Sequence, residues 1–143
     1  MADIWRATNF QRLNFTGGEA QIEWQAHAGG VISASYTALH GAEGVIAGVM
    51  SKYVFNYPTQ TGTLTYTGSL PGGFVARTVV GALNRIGRSP YALWDASAAY
   101  TRGHVRPFLQ ASNLTSTRYE EIPGVRMPGR SFLVGIEIIL CSR

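Results

Sequence analysis

The sequence predicts an all-β fold, the wall of an antiparallel up-and-down transmembrane β-barrel, and three observations predict it. Residues 91–100 alternate without a miss: Ala92, Trp94, Ala96, Ala98 and Tyr100 face one way, Leu93, Asp95, Ser97 and Ala99 the other. No run of about 18 apolar residues occurs, which excludes a transmembrane helix and leaves strands as the only way to span a bilayer. Short and longer links between the alternating segments succeed one another, as periplasmic turns and external loops do in outer-membrane barrels.

Each element follows from the same parity. In residues 19–25, Glu19, Gln21, Glu23 and Gln25 alternate with Ala20, Ile22 and Trp24. Leu13 and Phe15 have the opposite parity, and Gly17-Gly18 marks the switch, so residues 11–25 are read as one strand with a bulge at the glycines. In residues 31–39, Ser33, Ser35 and Thr37 oppose Ile32, Ala34, Tyr36 and Ala38. Every second residue of 59–67 is Thr, with Leu64 and Tyr66 between. In 74–85, Arg77 and Arg85 oppose Phe74, Ala76, Val80 and Ala82. In 105–113, Arg106, Gln110 and Ser112 oppose Val105, Pro107, Leu109 and Ala111. The last strand, 131–138, sets Phe132, Val134, Ile136 and Ile138 against Ser131, Gly135 and Glu137. That makes seven strands, and charges never fall on the apolar parity within these spans.

Membrane physics explains such sorting, because Arg or Lys on the lipid face near the midplane costs about 2 to 4 kcal/mol. The predicted lumen-facing set is therefore Glu19, Glu23, Arg77, Asp95, Arg106 and Glu137. The predicted lipid-facing aromatic girdle is Trp24, Tyr36, Tyr66, Phe74, Trp94, Tyr100 and Phe132. Trp94 and Tyr100 lie six residues apart, roughly 20 Å at strand rise, against an apolar band of about 25 Å. Short links at 26–30, 68–73 and 101–104 alternate with links at 40–58, 86–90 and 114–129, of which two are long. Trp24, Tyr66, Phe74 and Tyr100 all stand beside short turns. A soluble antiparallel sandwich also alternates, but has no reason to sort aromatics by turn length.

Several chemistries are not indicated. The net charge of +4 is carried by scattered Arg residues and one Lys, Lys52, without the basic stripe of a nucleic-acid reader, so no nucleic-acid partner is expected. His27, His40 and His104 are isolated, the lone Cys141 allows no internal disulfide, and Glu120-Glu121 face apart in extended chain. No enzyme, metal or cofactor is predicted. Gly29-Gly30 and Gly72-Gly73 lack the Lys and helix of a phosphate cradle and read as turns. Tyr53, Phe55 and Tyr57 alternate at the exit of the longest link, either as external ligand contacts or as packing at the external rim.

The C-terminal half also carries phrases that resemble a known family. Pro71-Gly72-Gly73-Phe74, Arg88-Ser89-Pro90-Tyr91-Ala92-Leu93-Trp94-Asp95, Arg106-Pro107-Phe108-Leu109-Gln110 and Asn113-Leu114-Thr115 resemble the closing strands of TonB-dependent outer-membrane receptors. Residues 119–124 and 127–132 look like that family's last external loop and final strand, Phe15-Thr16-Gly17-Gly18-Glu19-Ala20 like its Gly-Glu strand, and Asn56-Tyr57-Pro58 like the start of a strand after a long loop. Order and spacing carry the resemblance over nearly the whole chain. It departs at Thr115-Ser116, where the family has an aromatic and an acidic residue, and in continuing through residues 139–143 past the usual terminal aromatic.

The resemblance implies that residues 1–143 are the C-terminal part of a 22-stranded plugged barrel that, at full length, imports a siderophore, cobalamin or similar large nutrient across the outer membrane of a Gram-negative-type bacterium. The plug domain and the segment that contacts TonB are expected to be absent, residues 1–6 read as no signal peptide, and energised transport by this chain alone is not expected. The partners implied are outer-membrane lipid, TonB through the missing plug region, and a small-molecule ligand in the full-length receptor. Rival expectations are a small autonomous or oligomeric outer-membrane barrel with a porin-like or structural role, and a soluble β-sandwich binding module.

Overall fold

In the computed structural model, residues 14–26, 29–41, 57–122 and 124–140 are described. Seven strands form one antiparallel up-and-down sheet: β1 (Phe15–Ala26), β2 (Gly30–Gly41), β3 (Pro58–Leu70), β4 (Phe74–Arg85), β5 (Tyr91–Tyr100), β6 (Val105–Ser112) and β9 (Ser131–Ile138), in chain order. A separate small ladder, β7 (Glu120–Ile122) with β8 (Val125–Arg126), projects from the link between β6 and β9. No α-helix occurs among the described residues. The seven strands match the seven segments read from parity, and β1 and β9 are the two edges.

Register decides which residues share a face. One row runs Trp24, Ile32, Tyr66, Thr78, Ala96, Ala111 and Phe132, and the neighbouring row runs Ile22, Ala34, Leu64, Val80 and Trp94. On the opposite face Glu23, Ser33, Thr65, Val79 and Asp95 form a row, and Arg106 lies directly across from Glu137. All the Asp, Glu and Arg residues of the sheet, namely Glu19, Glu23, Arg77, Arg85, Asp95, Arg106 and Glu137, therefore stand on one face. That face is mixed, since Val79, Leu83, Leu93 and Leu133 share it.

One expectation is overturned at the first strand. The β1–β2 ladder runs from Phe15 opposite Gly41 to Ala26 opposite Gly30 with no register shift, so Gly17-Gly18 is no bulge. Phe15 consequently keeps the parity of Glu19, and its ring meets the edge of Tyr57 at 5.1 Å. The register shift falls instead on β3, between Pro58 and Gln60. Proline has no N–H to give to the ladder, so a strand beginning at Pro58 reaches regular pairing more easily after a shift.

The short-turn end is tightly tied. Gly72 and Gly73 have φ of 86° and 90°, a conformation that a Cβ disfavours, which suits them to the turn joining β3 and β4. The carbonyl of Gly73 accepts from both the backbone N–H and the hydroxyl of Thr101, at 2.9 Å each, joining that turn to the exit of β5.

Candidate functional site

Among the described residues Ala111 is the one buried hydrophobic side chain. The apolar face of the sheet lies open: Ile22 is 70% exposed, Val134 73%, and Trp24, Phe132 and Ile136 64% each. Leaving side chains of this size in water forfeits about 1.5–3 kcal/mol apiece relative to burial, so the face needs an apolar cover.

The predicted girdle residues all lie on this face. Trp24 and Tyr66 flank Ile32 in one register row near the short turns, and the rings of Phe74 and Tyr100 meet at 5.2 Å where β4 begins and β5 ends. Tyr36 lies within β2, while Trp94 and Phe132 lie near the starts of their strands, at the end where the longer links sit. Two polar groups on the face have partners within the protein. The Trp94 indole Nε1–H donates to Thr78 Oγ1 at 2.7 Å, and the Thr78 hydroxyl donates to the Asp95 carbonyl at 3.1 Å. Neither group then depends on water.

The charged face brings some predicted residues together and leaves others apart. Arg77 and Asp95 line one shallow groove of about 210 Å³ with Gln110 and Ser112. Arg106 faces Glu137 across the ladder, while its Nε donates to Gly103 O at 3.3 Å. Glu19 and Glu23 lie on the exposed edge strand. Of the aromatic trio at the longest link, Tyr57 is half-buried, while Tyr53 and Phe55 lie outside the described residues.

Asp95 also anchors the β6–β9 link. Its Oδ1 accepts the backbone N–H of Asn113 at 2.7 Å, and Asn113 is 4% exposed with φ of 51°. The Asn113 amide nitrogen donates to the carbonyls of Thr117 and Pro128, and its oxygen accepts the Thr117 N–H at 2.9 Å. The Thr117 hydroxyl donates in turn to Ala92 O at 2.8 Å. The buried Asn113 side chain thus ties the two ends of the longest described link to each other, and the Asn113 N–H and the Thr117 hydroxyl fix them to the start of β5.

This clasp forms a cavity of about 530 Å³ that parity did not reveal, lined by residues 88–91, 117–120 and 126–127. Tyr91 comes from the charged face of β5, and its ring stacks on Tyr119 at 4.9 Å with 27° between planes. Arg85 Nε donates to the Tyr91 hydroxyl at 3.4 Å. Arg88 Nη1 donates to Glu120 Oε2 at 2.8 Å, and the same oxygen accepts the Gly124 N–H at 2.9 Å. The Gly124 amide and the Arg88 guanidinium hold the Glu120 carboxyl below its ordinary range. Burial, then the charge of Glu121, pushes the Tyr119 phenol upward. Spacing could not point to this pocket, because its Arg and Tyr residues come from the β4–β5 link, the start of β5 and the β6–β9 link, and meet only when the two links fold over β5.

No protein-family model matches the chain, and neither a curated protein nor a solved structure matches it. The fold and its faces define the class: an antiparallel, up-and-down seven-stranded sheet with one apolar and one charge-bearing face.

Proposed function

We propose that this chain is a section of wall of an outer-membrane β-barrel, contributed to the C-terminal part of a TonB-dependent type of receptor that takes up a siderophore, cobalamin or similar large nutrient. Lipid is the cover of the apolar face. The observation that carries the reading is the sorting of every Asp, Glu and Arg of the sheet onto one face while the other exposes Ile22, Trp24, Val134 and Ile136. The satisfied indole N–H of Trp94 supports it, since hydrocarbon offers no hydrogen-bond partner.

Strand direction supports a larger barrel over a ring of copies. In a seven-stranded up-and-down sheet the two edges, β1 and β9, run the same way. Copies inserted in one orientation would meet only through a parallel seam of β9 against β1. Closing the wall with antiparallel seams needs an odd number of further strands, and a 22-stranded barrel supplies fifteen, about the remaining two thirds.

Two experiments test the two parts of the reading. In a Trp5→Phe background refolded into vesicles, lipids brominated along the acyl chain should quench Trp24 and Trp94 strongly; emission unchanged by bromination would refute a lipid-covered face. Plug-coding sequence in the DNA upstream of Met1 would support the receptor assignment, and an unrelated upstream region would oppose it.

A further inference from the structure

The cavity at the loop end of β5 has a charge balance that the wall reading does not use. Among the described residues three guanidiniums, Arg88, Arg118 and Arg126, line it against one carboxylate, Glu120, a net of +2. Glu120 is already engaged: its Oε2 takes Arg88 at 2.8 Å and the Gly124 N–H at 2.9 Å, and its Cα partner across the small ladder is Arg126. The side chains of Arg118 and Arg126 donate no hydrogen bond to a described residue. Each guanidinium presents five N–H donors in a planar fork suited to oxyanions.

The site is also shaped. The stacked rings of Tyr91 and Tyr119 make a flat wall, and Asn113 holds the link that carries Arg118 through its bonds to Thr117 and Pro128. A cavity of about 530 Å³ falls in the small-molecule range of roughly 300–1,000 Å³. Tyr91 has the parity of Asp95, so the pocket sits on the charge-bearing side of the sheet and at the end opposite the Gly73–Thr101 tie.

We propose that this cavity is a binding site for a compact oxyanion bearing two or more negative charges, held by Arg118 and Arg126 with Arg88 restrained by Glu120. The site deepens the receptor reading by naming the charge of the ligand, yet its chemistry stands if the sheet is not a membrane wall.

The test measures binding of pyrophosphate and of citrate to the full chain by calorimetry, in detergent at fixed ionic strength. Saturable one-to-one binding of at least one probe is expected, weakened at least tenfold by the double change Arg118→Gln with Arg126→Gln. The double change Arg77→Gln with Arg106→Gln removes the same charge outside the pocket and should alter affinity less than threefold. Glu120→Gln should tighten binding severalfold by releasing Arg88, a gain that misfolding cannot mimic. Absence of saturable binding to both probes, equal losses in the two double variants, or no gain in Glu120→Gln would each overturn the proposal. Vesicle quenching without oxyanion binding leaves the wall reading standing and removes the site; binding without quenching does the reverse.

Discussion

Val80→Arg tests the lipid face most directly. Val80 stands in the register row of Leu64 and Trp94, six residues into β4 from Phe74. Six steps at about 3.4 Å make roughly 20 Å along the strand, and a tilt of about 40° places Val80 some 15 Å from the short-turn rim, inside an apolar band of about 25 Å. Arginine there should cost about 2–4 kcal/mol, or about 30- to 700-fold in the folding equilibrium. The neighbouring Val79 lies on the other face, opposite Thr65 and Asp95, so Val79→Arg should stay within about 0.5 kcal/mol of the parent. In water the two changes would be nearly alike, because Val80 is already 43% exposed. Urea titration of the lipid-bound fraction, followed by Trp fluorescence on vesicles, reads the difference. Equal midpoints for the two variants would refute the assignment of hydrocarbon to this face.

Other outcomes follow from single contacts. Thr78→Val removes the acceptor of the Trp94 indole and should cost about 1–3 kcal/mol in lipid, while adding Trp94→Phe should recover most of that loss; additive losses in the urea midpoint would deny the pairing. Asn113→Ala strips the clasp of the β6–β9 link and places a Cβ-bearing residue without a side-chain amide at φ of 51°. A loss of about 2–4 kcal/mol is expected, visible as faster tryptic cleavage after Arg118, with Asn113→Gly recovering about 1 kcal/mol. The depressed Glu120 carboxyl should stabilise the small ladder at pH above the ordinary Glu range, with the contribution lost as pH falls through its lowered folded value. Carboxyl NMR of Glu120 should therefore titrate below the ordinary Glu value of 4.5, and the Gly124 amide shift should move with the same midpoint; an ordinary midpoint contradicts the Arg88 and Gly124 contacts.

The sequence by itself determined the seven strands, their antiparallel order and, from residue 19 onward, the face on which the side chains of each strand stand. These are local facts: alternation has a period of two, and a strand between turns has little choice but to pair with its neighbour. Parity placed Trp24, Tyr66, Phe74 and Tyr100 on one face and Arg106 with Glu137 on the other before any pairing was known. It misplaced Phe15, because glycines at 17–18 permit a bulge without requiring one, and the unbroken pairing with β2 settled the matter. Only the tertiary structure decided the loop-end pocket. Arg88 and Glu120 are 32 residues apart, and no periodicity relates them. Their meeting depends on Asn113, a polar residue buried in a left-handed turn, whose side chain bonds three backbone groups of the β6–β9 link while its own N–H bonds Asp95 of β5. Facing is written in nearest-neighbour chemistry, whereas the pocket arises from satisfying backbone hydrogen bonds among segments distant in the chain.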